Sequence, residues 1–188
     1  MGPDQLDQRR QEFEETALVH MDRIYNTALR LTRNKTEAED LFQETFLRAY
    51  RFFHQFQPGT NCRAWLFTIL RSLFVNRIRQ TSRTRVDFDE ERLYREPGVG
   101  GALPQDPEVG IFHRLAGGDI QRAIEALPPK LREAVVLADL EGCSYREIAE
   151  ICQCPLGTVM SRLYRGRQVL RVALKEYAKG DKASQEEE

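Results

Sequence analysis

Apolar residues recur at helical spacing along most of the chain, and the breaks between periodic stretches divide it into elements. From about Gln11 to Leu31, the residues Phe13, Ala17, Leu18, Met21, Ile24, Tyr25, Ala28, Leu29 and Leu31 keep the three-and-four spacing of one amphipathic helix. Asn34 and Thr36 interrupt it. Thr36 with Glu39 reads as a capping box that opens a second helix through about Phe52, and the acids Glu37, Glu39 and Asp40 suit its positive end. Along this helix Ala38, Leu41, Phe42, Thr45, Phe46, Ala49 and Phe53 take the inward stripe, leaving Asp40, Gln43, Glu44 and Arg48 outside. Pro58-Gly59 then forces a turn, directly after the aromatic run Phe52, Phe53 and Phe56. A third helix, Asn61 to about Gln80, places Leu66, Ile69, Leu70 and Leu73 inward and Thr68, Arg71, Ser72, Val75 and Arg79 on the other side.

The periodicity then fails. Residues 81 to 118 contain Pro97, Gly98, Gly100, Gly101, Pro104, Pro107, Gly117 and Gly118, and read as a flexible linker. Helical spacing resumes near Asp119 and stops at Pro128-Pro129, and a further helix runs from about Lys130 to Leu140. Ala123, Ile124, Leu127, Leu131, Val135 and Leu137 supply an apolar shelf. On it sits a pair of helices with a tight break between them. The first opens at Ser144, with Glu147 as its reciprocal capping partner, and ends near Ile151. Cys152-Gln153-Cys154 breaks the pattern, and Pro155 suits the first turn of the next helix. There Leu156, Val159, Leu163, Leu170 and Leu174 share one side, while Thr158, Ser161, Arg162 and Arg165 share another. This is the pattern of a helix-turn-helix. The fold class expected is all-α: two small helical domains, residues 11–82 and 119–178, joined by a linker over 83–118.

Charge sharpens the picture because it is segregated. The formal net charge is only -1. Yet residues 54 to 86 hold six arginines and no carboxylate, and residues 87 to 118 hold seven acids against three arginines. From Leu156 to Lys175 there are four arginines, one lysine and no acid, so that surface attracts a polyanion through its phosphates. The first turns of a helix in a major groove reach base edges, which points to Thr158, Ser161 and Arg162. Aromatics in a loop beside an arginine-bearing helix suit single-stranded nucleic acid, whose unstacked bases rest on aromatic faces. Phe52 and Phe53 fit the core, and Phe56, nearest the turn, fits a base.

No run of about 18 apolar residues occurs, and the N-terminal stretch lacks the apolar segment of a signal peptide, so a cytoplasmic protein without membrane insertion is expected. Cys62, Cys143, Cys152 and Cys154 are too sparse for a disulfide framework and read as reduced thiols. His20, His54 and His113 are scattered. The chain carries no Gly-rich phosphate loop, no Ser-His-Asp arrangement and no paired-carboxylate pocket, so neither a catalytic residue nor a cofactor or metal is expected.

Three segments, AEDLFQETFLRAY (38 to 50), FQPGTNCRAWLFTILRSLFVNRIR (56 to 79) and LPPKLREAVVLADLEGCSYREIAEICQCPLGTVMSRLYRGRQVL (127 to 170), together resemble the bacterial sigma factors of the extracytoplasmic-function type. The resemblance covers residues 11 to 177. It implies a non-catalytic specificity subunit with core RNA polymerase, promoter DNA and an anti-sigma factor as partners. By the same resemblance Asp40, Gln43 and Glu44 bind the polymerase, and Phe56, Ser72, Asn76 and Arg79 take the −10 element as a melted strand. Thr158, Ser161, Arg162 and Arg165 then read the −35 element as duplex. Ser72 stands where many relatives have Asn, and a hydroxyl cannot present an amide's paired donor and acceptor. Met160 stands where relatives often have Lys or Arg. The acidic linker is expected to lie in the polymerase's nucleic-acid channel and to let the two domains tumble semi-independently in the free protein. Two other readings fit parts of the chain. A helix-turn-helix regulator acting without polymerase leaves the aromatic loop and acidic helix face unused. A thiol- or metal-sensing protein has three clustered cysteines but no nearby His to close a tetrahedral site.

Overall fold

A computed structural model of the chain describes residues 3–82 and 117–185, and among the described residues every regular element is helical. The N-terminal unit comprises α1 (Pro3–Thr16), a 3₁₀ turn (Leu18–His20), α2 (Met21–Thr32), α3 (Lys35–Phe52) and α4 (Cys62–Ser82). The C-terminal unit comprises α5 (Gly117–Ala126), α6 (Pro129–Val135) running into a π-helical turn (Val136–Leu140), α7 (Tyr145–Cys152) and α8 (Leu156–Gln185). The expected linker, with its anticipated mobility, falls almost wholly outside the described residues.

Several expected boundaries move. The single helix expected over Gln11–Leu31 is two helices hinged at Ala17, which is fully buried. No Gly or Pro marks the break; the tertiary core imposes it. Phe13 meets Phe46, Tyr50 and Phe53 edge-on at 5.1–6.5 Å, while Ile24, Ala28 and Leu31 are buried along α2. One straight helix could not serve both contacts, and such packing outweighs the small differences in helix propensity. Met21, expected inside, opens α2 and stays 40% exposed. The cap of α3 is Asn34, whose Oδ1 accepts from the Glu37 N–H at 3.1 Å, and not Thr36 with Glu39. Asn is at least as good an N-cap as Thr, and using it adds Lys35 and Thr36 to the helix. At α7 the expected capping box is present. The Glu147 N–H donates to Ser144 Oγ, and the Ser144 N–H donates to Glu147 Oε2 at 2.7 Å.

In the C-terminal unit the apolar shelf forms as its spacing predicts, with Ala123, Ile124, Leu127, Leu131, Val135 and Leu137 all buried. Val159, Leu163, Leu170 and Leu174 of α8 are buried too, but Leu156 is 38% exposed, because the first residue of the helix lies beyond the start of that packed stripe. At Gly166 α8 passes close to α6. A Cβ there would lie 2.7 Å from Val135 Cγ2, so only glycine allows this approach without displacement.

The two units pack against each other, which corrects the expectation that they tumble semi-independently. α4 contacts α2 and α3 on one side and α7 on the other, and α2 meets α5 and α6. Phe67 and Phe74 of α4 are buried as well, beyond the stripe the spacing marked. Buried polar groups stitch the seam. Glu141, 4% exposed, accepts from Thr27 Oγ1 at 3.0 Å and from Arg30 at 3.4 Å, and its carbonyl accepts from Arg63 at 2.8 Å. Arg132, 3% exposed, donates to the carbonyls of Leu31 at 3.0 Å and Leu127 at 2.6 Å. Arg71 donates to Glu133 at 2.8 Å. Removing one member of a buried pair strands the other charge and costs about 3–5 kcal/mol. Sequence spacing could not reveal the cross-unit pairs, whose members lie 62 to 114 residues apart.

Candidate nucleic-acid and polymerase-binding faces

Asp40, Gln43 and Glu44 are exposed on α3, where their three-and-four spacing puts them on one face, and Leu47, 62% exposed, extends it by a turn. Leu47 was not marked by the sequence reading; its position one turn beyond Gln43 and Glu44 was the available signal. Glu44 also has an internal partner. Arg77 of α4 donates to it at 2.8 Å and to the Glu37 carbonyl at 3.3 Å, which braces α4 against α3. Beside this face Met21, Tyr25 and Phe42 line a groove of ≈ 280 Å³ whose rim carries Asp22, Glu39 and Gln43. The result is an acidic, polar surface with an apolar hollow at its edge.

A second face lies at the start of α4 and the loop before it. Phe56 is half-buried, stacked on Phe53 at 5.7 Å with rings 14° apart, and lies 5.2 Å from Trp65. Phe53 is buried, and it connects this cluster to Phe13 of α1. The loop aromatic is therefore held from behind and keeps part of its surface open. Trp65, also half-buried, is a second aromatic surface there that the sequence reading passed over. It lay in the quoted motif, five residues past Thr60. Ser72, Asn76 and Arg79 are all exposed, and their spacing of four and three places them along one side of α4.

The third face is on α8. Ser161 and Arg165 are exposed and Thr158 and Arg162 half-buried. Ser161 Oγ donates to the Thr158 carbonyl at 3.0 Å, and Arg162 lies 3.8 Å from Cys154 Sγ in the turn. Not all the basic residues of this helix face outward. Arg167 turns inward, donating to Asp139 at 2.6 Å and 3.2 Å and to the Tyr145 hydroxyl at 3.2 Å, and these bonds raise its already high pKa. It braces α8 on the π-helical turn and α7; Arg165 and Arg171 remain exposed.

All four cysteines are free thiols, and three are buried. Burial pushes the Cys62 and Cys143 thiols up to about 11 and Cys152 up to about 12, so these side chains are inert at neutral pH. Cys154 is half-buried. Among the described residues no three His, Cys, Asp or Glu side chains converge as a metal site would require, and no helix is long and apolar enough to cross a membrane.

Known proteins share both units. The family model for Sigma-70 region 2 matches residues 18–84, and that for Sigma-70, region 4 matches residues 117–170. The ECF RNA polymerase sigma factor SigE of Mycolicibacterium smegmatis is 43% identical over 159 residues, which are 85% of this chain and 60% of that protein. The ECF RNA polymerase sigma factor EcfG of Rhodopseudomonas palustris is 38% identical over 148 residues, 78% of this chain and 76% of that protein. The chain thus spans three fifths of one curated relative and three quarters of the other. A solved structure of the sigma factor RpoE in complex with the anti-sigma factor NepR, from Bartonella quintana, superposes with a TM-score of 0.68 at 32% identity, covering 88% of this chain and 98% of that one.

Proposed function

The chain belongs to the extracytoplasmic-function RNA polymerase sigma factors of the sigma-70 family, and from that membership we propose a division of labour among its three faces. Sigma factors are non-catalytic specificity subunits, so each face has a binding task. The α3 face of Asp40, Gln43, Glu44 and Leu47 docks on core RNA polymerase. Its polar rim sets orientation, and Leu47 with the groove at Met21, Tyr25 and Phe42 supplies apolar contact. The aromatic cluster of Phe56 and Trp65, followed by Ser72, Asn76 and Arg79, takes the −10 element as a melted strand: bases stack on rings and the polar side of α4 follows the backbone. The α8 face of Thr158, Ser161, Arg162 and Arg165 enters the major groove of the −35 duplex.

What supports this reading is the co-occurrence of two family-matched units, of which the N-terminal one exposes aromatic and basic side chains and, on α3, a separate acidic face, and the C-terminal one exposes arginines of α8. A helix-turn-helix regulator without polymerase has no use for the α3 face or the aromatic loop. Work with polymerase places the protein in the cytoplasm, and by analogy with the RpoE relative it has an anti-sigma factor as a further partner. Reversal of Asp40 and Glu44 to Lys tests the docking assignment. The double variant, with helicity unchanged by circular dichroism, is expected to lose co-elution with purified core polymerase. Co-elution at the wild-type level would refute it.

A further inference from the structure

The first helix is tied to the aromatic loop. The region 2 match begins at residue 18, so α1 lies before it. Two side chains of α1 nevertheless reach the end of α3 from which that loop departs. Phe13, 6% exposed, meets the Phe53 ring edge-on at 5.2 Å with the planes 88° apart, and meets Tyr50 at 5.1 Å. One turn earlier, Arg9 donates to the carbonyls of Tyr50 at 2.9 Å and Arg51 at 3.1 Å, and its guanidinium lies 5.7 Å from the centre of the Tyr50 ring. The last carbonyls of a helix have no donor from a following turn and carry its negative end, so a cation is favoured there.

From that end the chain turns directly into the loop. Phe53 opens the 3₁₀ turn Phe53–Gln55, and the Phe56 N–H donates to the Phe53 carbonyl at 3.0 Å. The Phe53 ring meets Phe13 edge-on and stacks on Phe56 at 5.7 Å, 14° from parallel, while Trp65 lies 5.2 Å from Phe56 and 6.3 Å from Phe53. Phe13 therefore reaches Phe56 through Phe53. An edge-on pair sets the edge of one ring against the face of the other, so the tilt of Phe53 is tied to Phe13, and Phe56 follows it. A base stacks most readily on a ring whose plane is already set. A ring free to turn has to be ordered when the base arrives, and that cost is subtracted from binding.

Resting on the assignment of Phe56 to the melted −10 strand, we propose that α1 is a positioning element for that strand: Phe13, acting through Phe53, sets the ring plane of Phe56, and Arg9 fixes the end of α3 from which the loop departs. Neither side chain has to touch DNA. Asp40, Gln43 and Glu44 precede Tyr50 by more than a turn, and the −35 face is on α8. Loosening α1 therefore leaves polymerase docking and duplex binding in place and slows capture of the strand alone.

The test uses holoenzyme assembled from core polymerase and the full chain, on a promoter fragment mapped by run-off transcription, with permanganate reactivity of thymines near −10 as the measure of opening. Phe13→Leu keeps apolar bulk and removes the ring. Arg9→Gln, at a half-buried residue, provides the same test if the first variant folds poorly. Each is expected to slow opening by about two- to ten-fold, the cost of ordering one freed side chain. Affinity for −35 duplex and co-elution with core should stay at wild-type levels. Trp65, the single tryptophan of the chain, supplies an independent signature: in the free protein both variants should shift its emission and raise its quenching by iodide. Combination with Phe56→Ala separates positioning from general stability. Because α1 acts through Phe56, Phe13→Leu should add nothing to the loss that Phe56→Ala causes. Wild-type opening rates in both variants, unchanged Trp65 emission in both, or losses that add in full to that of Phe56→Ala would each overturn the proposal. Normal opening by Phe56→Ala alone would remove the strand assignment beneath it, so the two levels fail by different results.

Discussion

Asn61 and Glu147 join the starts of two helices in different units. The Asn61 side chain accepts from the Ala64 N–H at 3.1 Å, as the cap of α4, and donates to Glu147, which completes the capping box of α7. The carboxyl of Glu147 is held below the usual range, first by the backbone and side-chain bonds with Ser144, with Arg63 and Asn61 adding to them. A depressed carboxyl contributes stability that is present above its unfolded pKa of about 4.3 and lost as pH falls through the folded value. Glu147→Ala is therefore expected to cost about 1 kcal/mol at pH 7, the usual worth of a helix cap. Urea melts at pH 7 and pH 3 check it: the difference from wild type should shrink at the lower pH. A constant difference would mean that the charge of Glu147 plays no part.

Gly166→Ala should destabilise the C-terminal unit by about 1–3 kcal/mol, the common cost of overpacking a core. The added methyl meets Val135 Cγ2 at 2.7 Å, and Leu131 lies behind it. Combining it with Val135→Ala should recover part of the loss, a coupling that thermal melts of the two single variants and the double variant would reveal. Alanine favours helices over glycine by about 1 kcal/mol, so a stabilised Gly166→Ala would show that α8 can slide away from α6.

The arginines of α8 should separate by role. Arg162→Ala is expected to weaken −35 duplex binding by about 1–3 kcal/mol, the worth of a good bidentate base contact, with folding near wild type. Arg167→Ala strands Asp139 in a half-buried pair and should lower the melting temperature first, with DNA binding lost only as the unit unfolds. Phe56→Ala should leave duplex −35 binding intact and impair promoter opening. Fluorescence anisotropy on a duplex, paired with thermal melts, decides among these; a folded Arg167→Ala with normal stability and poor duplex binding would place Arg167 at the DNA.

Thiol labelling checks the packing around the turn. At pH 8 a thiol with a pKa of 11 is thiolate in only about one molecule in a thousand, so Cys62, Cys143 and Cys152 should resist iodoacetamide in the native protein. Cys154 should react first, and because its Sγ lies 3.8 Å from Arg162, the adduct should weaken duplex binding. Mass spectrometry after brief labelling tests the order. Simultaneous labelling of all four would contradict the buried placement of the other three.

What could be read from the sequence was local. Ser144 and Glu147 announce α7 because a capping box lies within four residues, and the stripe Val159, Leu163, Leu170, Leu174 announces a buried face because spacing alone defines it. The exposed triad on α3 was legible for the same reason, as were Ser72 and Arg79 of α4, whereas Asn76 entered only through the family resemblance. What could not be read depends on partners far along the chain. Arg167 and Arg165 look alike until Asp139, 28 residues away, turns one of them inward. Arg71 looked like a solvent-facing cation until Glu133 was found against it, and nothing near Ala17 announced the hinge between α1 and α2. Asn34 and Thr36 were both acceptable caps, and only the bond to the Glu37 N–H distinguishes them.

The proposed function of this chain is to direct polymerase to promoters. Purified full-length protein added to core RNA polymerase on fragmented genomic DNA, with the 5′ ends of run-off transcripts sequenced, measures that directly. The account predicts a limited set of start sites, absent with core alone, that share one sequence near −35 and another near −10, and predicts their loss with Asp40 and Glu44 reversed to Lys. Transcripts identical to those of core alone would contradict it.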